Sequence, residues 1–374
     1  MAISSESQYK LFEWLRFPLT FGVVFIHSFG SPFDYDSLDF TNLSGLDYYN
    51  LFRVSISHVL THICVPTFFF ISGFLFYRGL EDWNHNTYFQ KLRKRVKSLL
   101  LPFLIWNTIS IVLSLAGVFR HDGWLGIQDF LQDYNYGHLY WDCKFWNIDR
   151  TNWLGGANIS TSPYLIPLWF LRDLMVVVLC SPILYLLLKK LKMISIFLLA
   201  ICYVTGVFIH IPGISITAFF FFGMGGYFKI NEINVTQITY RHRYLLYAIA
   251  FTLWITCTLL DGHNTSLGNV IYPFYVILGF FALISLSSVI VKNDIIQIPP
   301  VLSNSSFFIY LSHTILIAPL VSKAINSIFG MSNPMFMTIG YLVKPVIITS
   351  ICLSFYCVFN RFLPSICRAL TGGR

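Results

Sequence analysis

Charged residues are scarce in this chain. Of its 374 residues only 11% are Asp, Glu, Lys or Arg, whereas 56% are hydrophobic and 18% are aromatic. Soluble globular domains carry about 25% charged residues, and the mean hydropathy of +0.65 is far above their usual balance. The composition therefore excludes a soluble enzyme and predicts an integral membrane protein.

Acidic residues are fewer than basic residues in this chain. The chain has 17 Asp and Glu against 25 Lys and Arg, which gives a net charge of +8. Membrane proteins concentrate Lys and Arg in their cytoplasmic loops, so this excess does not indicate a nucleic-acid partner.

Metal-binding and disulfide patterns are also missing. Most of the eight cysteines fall in apolar segments and no two form a CxxC pair, so no disulfide framework is expected. His58 and His62 have the spacing of two metal ligands on a helix, but the segment lacks the Glu of a zinc-protease motif and a third ligand. No metal is expected.

Ten apolar segments are long enough, or nearly long enough, to cross a bilayer. They are Leu11–Phe29, Val54–Tyr77, Leu99–Phe119, Leu165–Leu188, Met193–His210, Ile214–Phe228, Tyr244–Leu260, Val270–Val291, Ser306–Val321 and Phe336–Phe359. The pattern predicts an all-α, polytopic membrane protein of about ten transmembrane helices. An even number places both termini on one side.

The distribution of Lys and Arg gives the orientation. With the N-terminus inside, seventeen of the 25 fall on the cytoplasmic side, and Arg16 and Arg172 lie within apolar segments. The outer side then holds Arg53, Arg120, Lys144, Arg150, Lys323 and Lys344. This asymmetry predicts cytoplasmic N- and C-termini.

The first segment carries three ionisable side chains. Eleven helical steps separate Arg16 from His27, which puts both on one face and about 16 Å apart along the axis. Glu13 precedes Arg16 by three residues, a spacing at which a carboxylate can neutralise a guanidinium. Such groups usually line a cavity or a pathway, although an interfacial anchor and a hydrogen-bonded histidine would give the same pattern.

Two polar segments stand out between the apolar ones. The loop at about 120–163, predicted outside, holds five Asp among seven Trp and Tyr residues, which suits a carbohydrate-facing lid or, equally, an aromatic belt at the headgroup level. The basic run Gln90–Lys97, predicted inside, attracts phosphates of lipid headgroups or of a nucleotide cofactor. By itself it is also an ordinary positive-inside anchor.

Five motifs in a fixed order make the chain resemble the integral-membrane acyltransferase family three over most of its length. They are the Arg16 and His27 pair with Glu13 before it, V-P-T-F-F-F-I-S-G-F-L (Val65–Leu75), K-L-R-K-R-V-K-S-L-L-L-P (Lys91–Pro102), P-L-W-F-L-R-D-L (Pro167–Leu174) and S-F-F-I-Y-L-S-H (Ser306–His313). Members of that family move acyl groups from cytoplasmic acyl-CoA onto sugars, peptidoglycan, lipids or related acceptors.

The resemblance implies one membrane acyltransferase domain over residues 1–374, in the bacterial inner (plasma) membrane. It implies transfer of an acetyl or short acyl group from acyl-CoA (acetyl-CoA) to a hydroxyl of a saccharide or lipid-linked saccharide. His27 is the expected general base, because neutral imidazole suits that task near pH 7. Arg16 is expected to act as a positioning or electrostatic group, and Glu13 is expected to hold the Arg16 side chain. No covalent acyl-enzyme is expected.

The remaining site residues follow from the motifs. The CoA phosphates are assigned to Arg93, Arg95 and Lys97, although the paired-arginine spacing of the family is met only loosely. Acceptor binding is assigned to Trp169, Arg172, Tyr310 and His313, although a satisfied intramembrane pair would also explain Tyr310 and His313, three residues apart on a helix. Arg172 and Asp173 could simply neutralise one another, although neighbours about 100° apart on a helix are expected to pair poorly.

Two other classes of function stay open. A saccharide or lipid transporter or flippase would also place charges within the membrane, although the inverted repeat that many transporters carry is not detectable. A non-catalytic subunit of an envelope-polysaccharide machine would tolerate substitution of His27. Covalent transfer from labelled acyl-CoA separates the enzyme from both.

Overall fold

The computed structural model describes residues 5–30, 35, 38–79, 83–133, 136–151, 157–260, 265–330 and 333–373. Within them the chain is predominantly helical, as the sequence predicts. The α-helices are α1 (Ser5–Ile26), α2 (Gly45–Val54), α3 (Cys64–Phe76), α4 (His85–Arg95), α5 (Leu101–Asp133), α6 (Tyr136–Trp141), α7 (Trp169–Leu179), α8 (Ser181–Lys190), α9 (Met193–Thr205), α10 (Ile216–Ile230), α11 (Val235–Arg241), α12 (Arg243–Leu259), α13 (Ser266–Lys292), α14 (Pro300–Ser312), α15 (Ala318–Phe329), α16 (Pro334–Phe362) and α17 (Pro364–Thr371).

Short turns and one hairpin complete the described structure. Two 3-10 turns span Leu60–Ile63 and Ile166–Leu168, and three π-helical turns span Ser55–Val59, Val96–Leu100 and His313–Ile317. Strands β1 (Lys144–Thr151) and β2 (Ala157–Ser162) pair antiparallel. π-Helical turns are rare and frequently mark functional sites, and these three contain His58, Lys97 and His313.

Helices lie at all ten predicted segments. Five are long and apolar enough to cross a membrane: Gly45–Phe76, His85–Asp133, Ser266–Lys292, Pro300–Phe329 and Pro334–Phe362. Ile166–Leu179 and Ser181–Lys190, bent by 62°, would together make a sixth. Helices α9, α10 and α12 are shorter, and α1 contains Lys10, Glu13 and Arg16. The chain is thus an integral membrane protein with five to six span-capable helices among the described residues; the count of ten crossings stays a prediction.

Helix α1 lies among α3, α13, α14 and α16. Leu11, Phe12, Leu15 and Leu19 are at most 1% exposed. The other three each lie three or four residues from Leu15, which places them on one face. The Phe12 ring meets the Phe74 ring of α3 edge to face, with 5.1 Å between centroids. The helix with the conspicuous polar residues is therefore packed within the bundle.

Glycines let α3 and α10 approach at backbone distance. A Cβ on Gly73 would lie 2.0 Å from the carbonyl oxygen of Phe222, and a Cβ on Gly225 would lie 2.1 Å from that of Phe70. Any side chain at either position would push the helices apart. The Ser-Gly-Phe motif of the second segment thus has a packing reason.

Both ends of the described chain lie at one end of the bundle. The guanidinium carbon of Arg78 is 4.1 Å from the centroid of the Tyr9 ring. Lys91 Nζ donates to the carbonyl of Arg78 at 3.0 Å, and a Cβ on Gly372 would lie 2.6 Å from Ser98 Cα. We call this part of the molecule the basic end. The first and last described helices therefore share one end of the bundle.

The segment predicted as an outer loop is largely structured. Helix α5 continues to Asp133 instead of ending at Phe119, with a break at Gly123, where φ is 64°. Glycine tolerates that left-handed conformation, so the helix changes direction there. The β1–β2 hairpin follows, and burial lowers the pKa of Lys144 at its start.

Two cations predicted on the outer side are buried within helices. Arg53 belongs to α2 and is 4% exposed, and Lys344, the eleventh residue of α16, is 6% exposed. Arg53 is the last residue but one of α2, which continues without a break towards α3, and Lys344 lies inside the predicted segment Phe336–Phe359.

Candidate active site

His27 and His313 meet although they come from opposite halves of the sequence. Their ring centroids are 5.1 Å apart and their planes are tilted by 53°. His27 directly follows α1, and His313 directly follows α14. These helices pack against each other, so the ends of both lie together. We call this part the histidine end; it lies about 27 Å along α1 from Tyr9.

The hydrogen bonds of His313 define its tautomer. Its Nδ1 lies 2.8 Å from the carbonyl oxygen of Tyr310 and 3.2 Å from that of Ile309. Carbonyl oxygens only accept, so Nδ1 carries the proton and Nε2 presents a lone pair. Nε2 is buried and has no hydrogen-bond partner among the described residues. A buried nitrogen with a lone pair and no partner can accept a hydrogen bond from the neighbouring imidazole.

Two side chains fix the backbone around His27. Ser57 Oγ donates to the carbonyl of Phe25 at 2.7 Å, and Arg53 Nη1 donates to the carbonyl of Phe29 at 3.0 Å. The Arg53 guanidinium lies 4.2 Å from the centroid of the Phe29 ring, on which the His58 ring stacks at 3.9 Å. The carbonyls at the end of a helix need such donors, and these bracket His27 on both sides.

Arg16 and Glu13 lie in α1, which His27 directly follows, and both expose their side chains. Within the described part of the chain no ion pair joins the two. The expected contact between Glu13 and Arg16 is therefore not formed in this structure. Arg16 lies between the basic end and the histidine end along α1.

The three predicted phosphate ligands point in different directions. Arg95 is half-buried, with its guanidinium carbon 5.7 Å from the centroid of the Phe76 ring, whereas Arg93 and Lys97 are exposed. Lys91 joins Arg95 at the same ring and donates to the Phe76 carbonyl at 2.7 Å. The structure therefore groups Arg95 with Lys91, which the sequence reasoning did not assign.

Arg172 is engaged in a buried network. Its Nε donates to Asp173 Oδ1 at 2.9 Å, and its Nη1 donates to the Trp141 carbonyl at 2.7 Å and to Thr161 Oγ1 at 3.0 Å. The expectation that Arg172 and Asp173 pair poorly is wrong: both are 3% exposed, and a buried charge left without its partner is costly. Arg172 thus fastens α6 and the hairpin to α7.

Tyr310 and Trp169 lie near this network. The Tyr310 hydroxyl donates to the carbonyl of Pro167, just before α7. Its ring centroid is 6.3 Å from that of His313. Trp169 is partly buried, and its ring centroid is 6.4 Å from that of Phe69. Tyr310 therefore links the histidine end to the start of α7.

His58 and His62 contact aromatic side chains. Beside the stacking of His58 on Phe29, His62 Nδ1 hydrogen-bonds the hydroxyl of Tyr272. The described residues contain no group of three or more His, Cys, Asp or Glu side chains arranged to hold a metal ion.

Sequence reasoning missed Arg53 and Ser57 as supports of His27. The available signal was the position of Arg53 in L-F-R-V, directly before the second apolar segment. A cation in such a setting needs partners, but the sequence does not say which ones.

Comparison with known proteins identifies relatives. The family described as "Acyltransferase domain" matches residues 9–358. The chain is 34% identical over 179 residues to the "Succinoglycan biosynthesis protein ExoH" of Rhizobium meliloti (strain 1021), an alignment that covers 47% of this chain and 42% of that protein. The chain thus spans less than half the length of this relative. No solved structure matches.

Proposed function

The chain belongs to this acyltransferase family, and from that premise we propose that it transfers an acetyl or other short acyl group from acyl-CoA to a hydroxyl of a saccharide. The saccharide class is supported by the name of the relative, which belongs to the biosynthesis of succinoglycan. The observation that carries the proposal is the contact of His27 with His313 at 5.1 Å between ring centroids.

In the proposed reaction His27 accepts the proton of the acceptor hydroxyl. The hydroxyl oxygen forms a bond to the thioester carbonyl carbon, the carbon–sulfur bond breaks, and the thiolate of CoA takes the proton from His27. General-base assistance of this kind contributes about 10²- to 10⁴-fold in rate. The ester forms directly, without a covalent acyl-enzyme.

His313 is assigned the role of positioning His27. Its Nε2 is an acceptor that lacks a partner among the described residues, so it can take a hydrogen bond from one ring nitrogen of His27 when substrates close the site. The other ring nitrogen of His27 then presents its lone pair to the hydroxyl. The Nδ1 bonds of His313 to two carbonyls hold this arrangement in place.

The donor is proposed to bind at the basic end. Arg95 and Lys91 converge on the Phe76 ring there, and clustered cations make strong charge-assisted bonds to phosphate. Arg93 and Lys97 stay part of the proposed phosphate site as its exposed rim. The acyl arm would then extend along α1 past Arg16 to His27.

The orientation follows from the same placement. With ten crossings, the basic end and both termini lie in the cytoplasm, and the histidine end opens towards the outer face of a bacterial inner membrane. Acyl-CoA would enter from one side and the saccharide from the other. The excess of Lys and Arg on the cytoplasmic side supports this orientation.

The test uses the full chain in lipid nanodiscs, with radiolabelled acetyl-CoA and an acceptor oligosaccharide. Label is expected to move to the oligosaccharide, to be released by mild alkali as expected of an ester, and to be lost in His27→Ala. His85→Ala, which changes an exposed histidine of α4, is the matched control. Binding of both substrates without covalent transfer would refute the enzyme and favour the transporter or flippase.

A further inference from the structure

A recess opens beside the histidine end between α2, α15 and α16. Its lining includes Tyr49 of α2, Asn326 of α15, and Tyr341 and Lys344 of α16. Its polar lining is unusual for a position inside a span-capable helix, because lipid and packed helices favour apolar surfaces there.

Lys344 is the chemically exceptional member of this lining. The residue is 6% exposed, and its ammonium has neither a hydrogen bond nor an ion pair with the described residues. A buried cation without a counter-charge is unfavourable. Ionisable residues within membrane helices are accordingly kept mainly where they bind a substrate, an ion or a partner.

The surroundings of Lys344 are positive. Arg53, itself 4% exposed, lies close enough to interact electrostatically with Lys344. The guanidinium of Arg53 already binds Asn50 and the Phe29 carbonyl, whereas Lys344 lines the recess. A second cation nearby adds to the attraction for an anion that enters.

Hydrogen bonds connect the recess to the backbone that carries His27. The only hydroxyl proton of Ser57 goes to the Phe25 carbonyl, so the Tyr341 hydroxyl, 2.7 Å from Ser57 Oγ, is the donor in their bond. On the other side of His27, Arg53 binds the Phe29 carbonyl. An occupant of the recess would thus lie against Tyr341, whose hydroxyl donates to the Ser57 side chain that supports the backbone before His27.

We propose that the recess at Lys344 is a binding site for an anionic oxygen group, a carboxylate or a phosphate, with the Lys344 ammonium as its main ligand. The exposed amide of Asn326 lies at the rim as a further donor. The inference rests on the proposed function in one respect only: it assigns the anion to the acceptor whose hydroxyl reaches His27.

The experiment measures binding, not transfer. The full chain in phosphatidylcholine nanodiscs is titrated with methyl β-glucuronide, glycerol 3-phosphate and neutral methyl β-glucoside, with thermal unfolding as the readout. At least one anionic probe is expected to raise the unfolding temperature, and the neutral glucoside is not. Lys344→Met should weaken apparent binding about 10- to 150-fold, the factor for one lost charge-assisted hydrogen bond.

Lys323→Met is the matched control, because Lys323 is exposed on α15 and loses the same charge. Asn326→Asp is a second variant: it changes an exposed residue almost isosterically and puts a carboxylate beside Lys344, so it should also weaken anion binding. A stabilising effect of phosphatidylglycerol nanodiscs that Lys344→Met removes, with no response to the soluble probes, would assign the site to a lipid headgroup.

The absence of any anion response, or equal responses in the wild type and Lys344→Met, would overturn the site. Because no acyl transfer enters this readout, intact anion binding in a chain that fails to transfer acyl groups would count against the proposed function alone.

Discussion

The two histidines should behave as one catalytic unit, and substitutions can test this. His313→Asn keeps a side-chain N–H in the place of Nδ1, which donates to the Tyr310 carbonyl at 2.8 Å, but removes the Nε2 acceptor. If that acceptor orients His27, the loss is one buried hydrogen bond, about 1–3 kcal/mol. At 1.36 kcal/mol per factor of ten, kcat should fall about 5- to 150-fold.

His27→Ala removes the base itself and should lower kcat about 10²- to 10⁴-fold. In the double variant, His313 no longer has a base to orient, so its substitution should add little to the loss. Residues that act as a unit show this non-additivity.

The assay is the initial rate of label transfer by purified protein in nanodiscs at saturating acetyl-CoA, with CoA binding measured separately. Unchanged binding of CoA with a reduced kcat is expected for each variant. Multiplicative losses in the double variant would show that the histidines act independently. A wild-type rate in His27→Ala would place the base elsewhere, with His313 as the first candidate.

Three further outcomes are expected from other parts of the molecule. Gly73→Ala should destabilise the fold by about 1–3 kcal/mol, since its Cβ would lie 2.0 Å from the α10 backbone. The control Gly117→Ala, whose Cβ meets nothing within 4 Å, should leave the stability unchanged. Equal thermal-unfolding midpoints of the two variants would contradict the close packing of α3 on α10. Arg172→Met should cost about 3–5 kcal/mol by leaving a buried carboxylate unpaired and should expose the hairpin to protease, and an unchanged digestion rate would show that the network does not hold it. A membrane-impermeant maleimide should label Asp133→Cys in intact cells but Ser365→Cys only after permeabilisation, and the reverse pattern would invert the orientation.

Much of the architecture is determined by the sequence alone. Long apolar runs can exist in a bilayer only as helices or closed barrels, because every backbone group must find its hydrogen bond internally. The hydropathy pattern was therefore sufficient to place helices at the ten segments. The 3.6-residue period likewise predicted one face for Arg16 and His27, and the structure places His27 directly after α1.

What the sequence left open depends on contacts between distant residues. Nothing local to S-F-F-I-Y-L-S-H says that His313 reaches His27, because that depends on how α1 packs beside α14. Arg172 and Asp173 were expected to pair poorly from helix geometry, yet burial of both makes their pairing the favourable outcome.

The same limit applies to cations and glycines. Arg53 and Lys344 were counted among the cations of the outer side, and only the tertiary structure shows that both are buried inside helices. Gly73 could be identified as part of a motif, but the carbonyl of Phe222 that excludes a side chain there comes from α10. Backbone hydrogen bonding and periodicity are local properties that a sequence contains; the partner of a buried charge is chosen by the packing of the whole bundle.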